Sequence, residues 1–255
     1  MALSIAGFDP SGGAGILMDI KTFSALEVYG GCVITALTIQ NTFTVSHVYP
    51  VSYKIVGRQI DILMNDIPFV WCKVGLLPTF KIVKILSQKS SEYNLKLIVD
   101  PIFLSSSGFQ LVSKRAFKAL KNLLLPKAYI VTPNINEAER LSGISISNLE
   151  DMQIAAEKIS ELGVENVLIK GGHLNTDKIW DILKYGKTIK VYSKKKIIGD
   201  LHGSGCVFSS ALTAELAKGN ELCTAFLNAE KFMDVALKNT AKPGKGREVL
   251  PYFPK

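Results

Sequence analysis

The chain has 255 residues, 47% of them hydrophobic and 20% charged, which suits an ordinary globular protein and excludes disordered and collagen-like classes. No apolar run approaches the ~18–20 residues a membrane-spanning helix needs, and the chain opens on a strand-like segment with no room for a charged, then apolar, leader. A cytoplasmic location is therefore expected. The net charge of +8 comes from basic residues spread along the chain, and the dense run Lys194–Lys196 has no interleaved aromatics, so a nucleic-acid partner is not indicated. Of the four cysteines, Cys32 and Cys72 sit in apolar runs and read as small buried hydrophobes; no CxxC pair suggests a zinc or redox site.

In chain order, Val- and Ile-rich runs alternate with segments of helical period. Strands are predicted at Ala2–Ala6, Cys32–Ile39, Trp71–Leu76, Lys96–Val99, Tyr129–Thr132 and Asn166–Ile169. Their continuous apolar character points to strands buried on both faces of a parallel sheet. Helices are predicted at Gly15–Leu26, Tyr53–Asn65, Phe80–Tyr93, Lys114–Leu124, Ile135–Leu141 and Leu149–Leu162. The last carries Met152, Ala155, Ala156, Ile159 and Leu162 on one stripe, with Asn148 placed to cap it and Gly163 to stop it. Ile179–Ile198 reads as two or three short antiparallel strands around Tyr185-Gly186-Lys187. Helices over Ser204–Lys218 and Cys223–Asn239 follow, and Ala241–Lys255, rich in Pro and Gly, reads as irregular surface chain. The fold class is α/β, a single doubly wound domain over residues 1–255 with helices on both faces and a small antiparallel extension.

Ligands of such folds sit beyond the carboxyl ends of the strands. Ile5–Ile16 follows the first strand with Gly12, Gly13 and Gly15, and fits neither the dinucleotide nor the Walker pattern. It can cradle a ligand or merely turn the chain. Asp19, in the next helix, can act on the helix dipole or accept an N–H from a substrate. In Gly199–Leu212, small residues precede a long apolar helix whose free N–H groups suit an anion. Cys206 stands in its first turn, where the dipole is expected to favour a thiolate. Thr132–Leu141 sets Asn134 and Glu137 three apart; with Asp100 at a neighbouring strand end they could organise Mg²⁺, or serve as caps and turn formers. Lys170 ends another strand as a candidate phosphate cation. His47, His173 and His202 have no visible partners and read as structural.

The segments AGFDPSGGAGI, VITALTIQNT, KVGLL, TPNINEAE, IKGGH and HGSGC occur in the order and spacing of the hydroxymethylpyrimidine kinases, over Ala2 to about Leu237. The resemblance implies a ribokinase-like three-layer fold, ATP with Mg²⁺, a homodimer, and two successive phosphorylations, of a pyrimidine alcohol and then of its monophosphate, in thiamine synthesis. By this resemblance Gln40 and Ala14 would contact the pyrimidine ring, with Asp19 in or beside that pocket and Thr38, Leu76 and Ile102 as walls. Gln40 carries both the donor and the acceptor that an aminopyrimidine edge requires. Asp100 and Glu137 would hold the metal, with Asn134, Lys170 and Ser204 on the nucleotide side. Gly203, Gly205 and Cys206 would form the anion hole. The family pattern has Thr where Ser204 stands and Met where Leu76 stands; the first change keeps the hydroxyl, the second reshapes a wall. A pyridoxal kinase is the nearest alternative, and a regulator that binds the ligand without turnover is a further one.

Overall fold

The computed structural model describes residues 1–105, 108–172, 178–195 and 201–250. Among the described residues, nine strands form one sheet in the order β3-β2-β1-β4-β5-β6-β7-β8-β9. β1 (Ala2–Phe8), β2 (Gly30–Gln40), β4 (Trp71–Val74), β5 (Lys96–Val99), β6 (Ala128–Val131) and β7 (Asn166–Ile169) run parallel. β8 (Lys178–Tyr185) and β9 (Thr188–Lys195) add the expected antiparallel pair, joined at Gly186-Lys187. At the opposite edge β3 (Val45–Pro50) pairs antiparallel with the second half of β2.

Period-two alternation divides the core between two helix layers. Leu97, Val99, Val131, Val167 and Ile169 face α2 (Tyr53–Met64), α3 (Phe80–Glu92), α4 (Lys114–Ala119), α5 (Ile135–Ser142) and α6 (Leu149–Ser160). Ile98, Ile130 and Leu168 face the other way, toward α7 (Ser204–Ala217) and α8 (Leu222–Ala236), with Met18 of α1 (Gly15–Ala25) in the same cluster. Apolar faces on both sides explain why the parallel strands read as unbroken hydrophobic runs. Each fully buried Leu, Ile or Val contributes about 1.5–3 kcal/mol.

Four expectations are corrected. β3 was not foreseen: apart from Val45 it is mostly exposed, a short edge strand ending on Pro50. The helix predicted over Lys114–Leu124 is helical only to Ala119; it then widens into a π turn over Leu120–Leu124 and a 3₁₀ turn over Leu125–Lys127, where Pro126 forbids further α-helix. Cys72 is buried, but Cys32 is exposed, because alternation on β2 turns Val33 into the core and Cys32 out. In the C-terminal segment Val249 and Leu250 are buried, and Ala241 and Val249 pair through reciprocal backbone hydrogen bonds of 2.9 and 2.8 Å. His173, Lys196, Gly199 and residues 251–255 lie outside the described residues.

The strand order reverses beside β1: the chain builds outward through β2 and β3, then returns to place β4 on the other side. Reversal opens a crevice at the carboxyl ends of β1 and β4. β2 outlasts β1, so Thr38 and Gln40 overhang that crevice.

Candidate active site

A cavity of about 680 Å³ runs along these strand ends, from the overhang of β2 past β4, β5 and β6 to β7. Its first wall is the turn that leaves β1. The Asp9 carboxylate accepts from Ser11 N (2.8 Å) and Ser11 Oγ (2.7 Å) through Oδ1, and from Ala14 N (2.9 Å) and His202 Nε2 (2.9 Å) through Oδ2. Burial pushes its pKa up, but the hydrogen bonds from His202 and Ser11 more than reverse this and hold it below the ordinary range. Gly15, at φ +58°, starts α1 with its Cα so close to β1 that a Cβ would lie 2.3 Å from Gly7 O.

The second wall is the start of α7. Gly203 is its N-cap at φ +83°, and a Cβ there would meet Gly13 O at 1.9 Å. Only glycine lets this turn rest on the β1 turn. Among the described residues, no side chain caps α7 and no acidic residue stands in its first turn, so the N–H groups around Ser204, Gly205 and Cys206 are left for a bound anion. Cys206 departs from the expected thiolate. Burial pushes its pKa up to about 11; Lys73 and the Gly15 N–H pull it down, while Asp19 and Asp100 add to the rise. Desolvation outweighs the helix dipole, and the resting group is a neutral thiol.

Between the walls lie the charges. Lys170 pairs with Asp100 at 3.2 Å, and a Cβ on Gly205 would be 3.4 Å from Lys170 Nζ and 3.6 Å from Asp100 Oδ2, so the pair sits against the α7 turn. Asn134 and Glu137 form a capping box on α5: Glu137 N donates to Asn134 Oδ1 (2.9 Å) and Asn134 N to Glu137 Oε2 (2.8 Å). Burial, then the charge of Asp100, pushes Glu137 up to about 8 against the opposing pull of Lys170, the Asn134 N–H and Arg140. A buried carboxyl whose proton affinity is raised by a second carboxylate beside it fits a divalent cation, and Mg²⁺ characteristically takes one or two protein carboxylates, leaving the rest to water and phosphate.

Of the residues singled out in the sequence, Ala14, Thr38, Gln40, Leu76, Asp100, Ile102, Asn134, Glu137, Lys170, Gly203, Ser204, Gly205 and Cys206 all line this cavity. Asp19 does not. It is fully buried behind the wall, accepting from Ser4 Oγ (2.6 Å), Ser210 Oγ (2.8 Å) and Lys73 Nζ (2.8 and 2.9 Å). A pyrimidine contact is corrected to a buried counter-ion for Lys73, which does reach the cavity. Burial alone would lower the Lys73 pKa, but the charge and hydrogen bonds of Asp19, with the charge of Asp100, hold it above the ordinary lysine range. Lys73, Asp9, His202 and Arg247 were missed as wall residues. Their partners are 54 residues away for Lys73 and 193 for the Asp9–His202 pair, separations that carry no local signal.

An open, mostly parallel sheet with an uncapped helix start facing a lysine and two carboxylates defines a small-molecule kinase of the ribokinase-like class. The sequence matches the phosphomethylpyrimidine kinase family over residues 9–251, and the chain belongs to that family. It is 41% identical to the hydroxymethylpyrimidine/phosphomethylpyrimidine kinase of Aquifex aeolicus across 99% of this chain and 100% of that one. The crystal structure of phosphomethylpyrimidine kinase from Clostridium difficile superposes with a TM-score of 0.82 at 41% identity, covering 91% of this chain and 97% of that one. The ADP complex of Bacillus subtilis pyridoxal kinase superposes with a TM-score of 0.90 at 35% identity, covering 98% and 96%. No helix among the described residues is long and apolar enough to cross a membrane.

Proposed function

We propose that the chain transfers the γ-phosphoryl group of ATP to the hydroxyl of 4-amino-5-hydroxymethyl-2-methylpyrimidine, and then to the resulting monophosphate, as a step of thiamine synthesis. The observation that carries this reading is the contact of Gly13 with Gly203: the wall that would hold the ring rests directly on the turn that would hold the phosphoryl group. A ring seated against Ala14, Thr38 and Gln40 would then project its hydroxymethyl arm toward Cys206.

Phosphoryl transfer asks the protein mainly for positioning and charge neutralisation. The N–H groups of Gly203, Ser204, Gly205 and Cys206 stabilise the negative charge that develops on the transferring oxygens. Lys170 offsets phosphate charge, and Asn134 and Ser204 line the nucleotide side. Mg²⁺ held by Asp100 and Glu137 would supply Lewis-acid neutralisation of the ATP phosphates. Cys206, a neutral thiol at rest, would pass its S–H proton to an oxygen of the transferring phosphoryl group while its sulfur takes the proton of the attacking substrate hydroxyl, so the thiol ends as it began and the proton ends on the phosphate.

Pyridoxal is a second candidate acceptor, favoured by the likeness to pyridoxal kinase over nearly the whole chain. We further propose that the chain acts as one domain, in the cytoplasm, as a homodimer. The exposed apolar side chains Leu37, Ile39, Phe43 and Tyr49 of the β2–β3 edge support the dimer. Measuring kcat/KM for both alcohols with saturating MgATP tests the acceptor. A ratio above tenfold for the pyrimidine supports the first reading, and a ratio inverted in favour of pyridoxal replaces it with the second.

A further inference from the structure

The chain leaves β7 through Lys170, Gly171 and Gly172, and Lys170 and Gly172 line the β7 end of the cavity together with Ile179 of β8. Asn134 is fixed at the same end, because Lys170 N donates to Pro133 O at 2.9 Å and Asn134 and Lys170 form a parallel bridge. The far side of this turn rests on β8. A Cβ on Gly171 would lie 1.9 Å from Trp180 O, so only glycine lets the two backbones come this close. The next residue of β8, Asp181, reaches back and accepts from the buried Gly171 N at 2.8 Å.

Asp181 is itself buried, and it shares the α8-facing side of β8 with Leu183 two residues on. Lys194 of β9 pairs with Glu230 of α8 and, at 3.3 Å, with Asp234. Burial and then the charge of Glu230 oppose an ionised carboxylate at Asp181, while the Gly171 N–H, Lys194 and Lys170 favour it. The cavity meets β8 at Ile179, two residues before Asp181, so this carboxylate acts from behind the turn. Without it the Gly171 N–H would be buried and unpaired, and the turn would have to shift to find another acceptor.

We propose that Asp181 is a positioning residue for the nucleotide, holding Gly171 N so that the Gly171-Gly172 turn, and Lys170 before it, keep the shape that receives ATP. This rests on the reading of the β7 end of the cavity as the nucleotide side. It assigns the antiparallel hairpin β8–β9 a part in the reaction: the hairpin braces the phosphate-facing turn from the side away from the substrate.

The test uses the full chain as wild type, Asp181→Leu and Asp181→Asn. Leucine removes the acceptor, whereas asparagine keeps a carbonyl oxygen for Gly171 N and loses the charge. KM for ATP and for the pyrimidine alcohol are measured, with the dissociation constant of the non-hydrolysable analogue AMP-PCP read by calorimetry without alcohol. Loss of one anchoring hydrogen bond is expected to weaken AMP-PCP binding and raise KM for ATP about tenfold in Asp181→Leu. KM for the alcohol at saturating ATP should stay unchanged, and Asp181→Asn should recover most of the loss. Unchanged nucleotide affinity in Asp181→Leu, KM values for both substrates rising together, or an equal loss in Asp181→Asn would overturn the role of Asp181. Thermal unfolding shows whether each variant folds; should Asp181→Leu fail, Asp181→Ala takes its place. A wild type that binds no AMP-PCP overturns the nucleotide reading and this proposal with it, whereas a wild type that binds it as tightly as Asp181→Leu overturns this proposal alone.

Discussion

The ion pair behind the cavity wall gives the most quantitative prediction. Lys73 and Asp19 have no exposed side-chain surface, and Asp19 also serves the hydroxyls of Ser4 and Ser210. Asp19→Asn preserves shape and opens no cavity, but leaves the buried Lys73 ammonium ion without the carboxylate it pairs with. Breaking a buried pair from one side typically costs roughly 3–5 kcal/mol, because the stranded charge keeps its desolvation penalty. In a chain of this size each kcal/mol lowers Tm by roughly 2–4 °C, so a fall of roughly 6–20 °C is expected. Calorimetry together with urea unfolding of the ligand-free protein measures it. Replacing both partners, as in Asp19→Leu with Lys73→Met, should recover most of the loss, since two apolar side chains need no counter-charge. If Asp19→Asn unfolds within about 1 kcal/mol of wild type, the pair is not the buried charge couple described here.

Three further outcomes are expected. Gly203→Ala forces a Cβ into Gly13 O at a positive φ, so it should displace the α7 turn and lower kcat by about 10²-fold or more, the scale of losing one oxyanion donor; retention of wild-type kcat would contradict the geometry. Cys206→Ala should lower kcat by about 10²–10³-fold with a smaller change in KM, read by steady-state kinetics. For Glu137, the folded carboxyl titrates near 8 against an ordinary 4.5, so its contribution to stability is full below about pH 4.5 and is lost as pH rises through about 8. Asp181, raised to about 7 by burial and then by Glu230, acts in the same direction. Glu137→Gln keeps an acceptor for the α5 cap but cannot ionise; it should flatten the fall in urea-unfolding stability across that window, and an unchanged slope would refute the assignment.

The parallel strands and both helix layers were legible because burial on two faces writes long apolar runs, and Lys96–Val99 and Asn166–Ile169 match to the residue. Capping chemistry made Asn148 and Asn134 equally readable, since each accepts from the backbone three residues on. What escaped were features fixed by tertiary contact. Edge strand β3 has too little buried surface to show a pattern. Asp9 and His202 look like a turn residue and an isolated histidine until the fold brings them to 2.9 Å. Cys206 shows a local rule overridden: its place in the first helical turn favours a thiolate, and burial reverses that.

Two phosphorylations at one site are checked by a mass-resolved time course with 4-amino-5-hydroxymethyl-2-methylpyrimidine and MgATP. Monophosphate should appear first and then be consumed as diphosphate accumulates, with both steps lost together in Cys206→Ala. No phosphorylation of the pyrimidine, or a Cys206→Ala variant that loses one step and keeps the other, would contradict this.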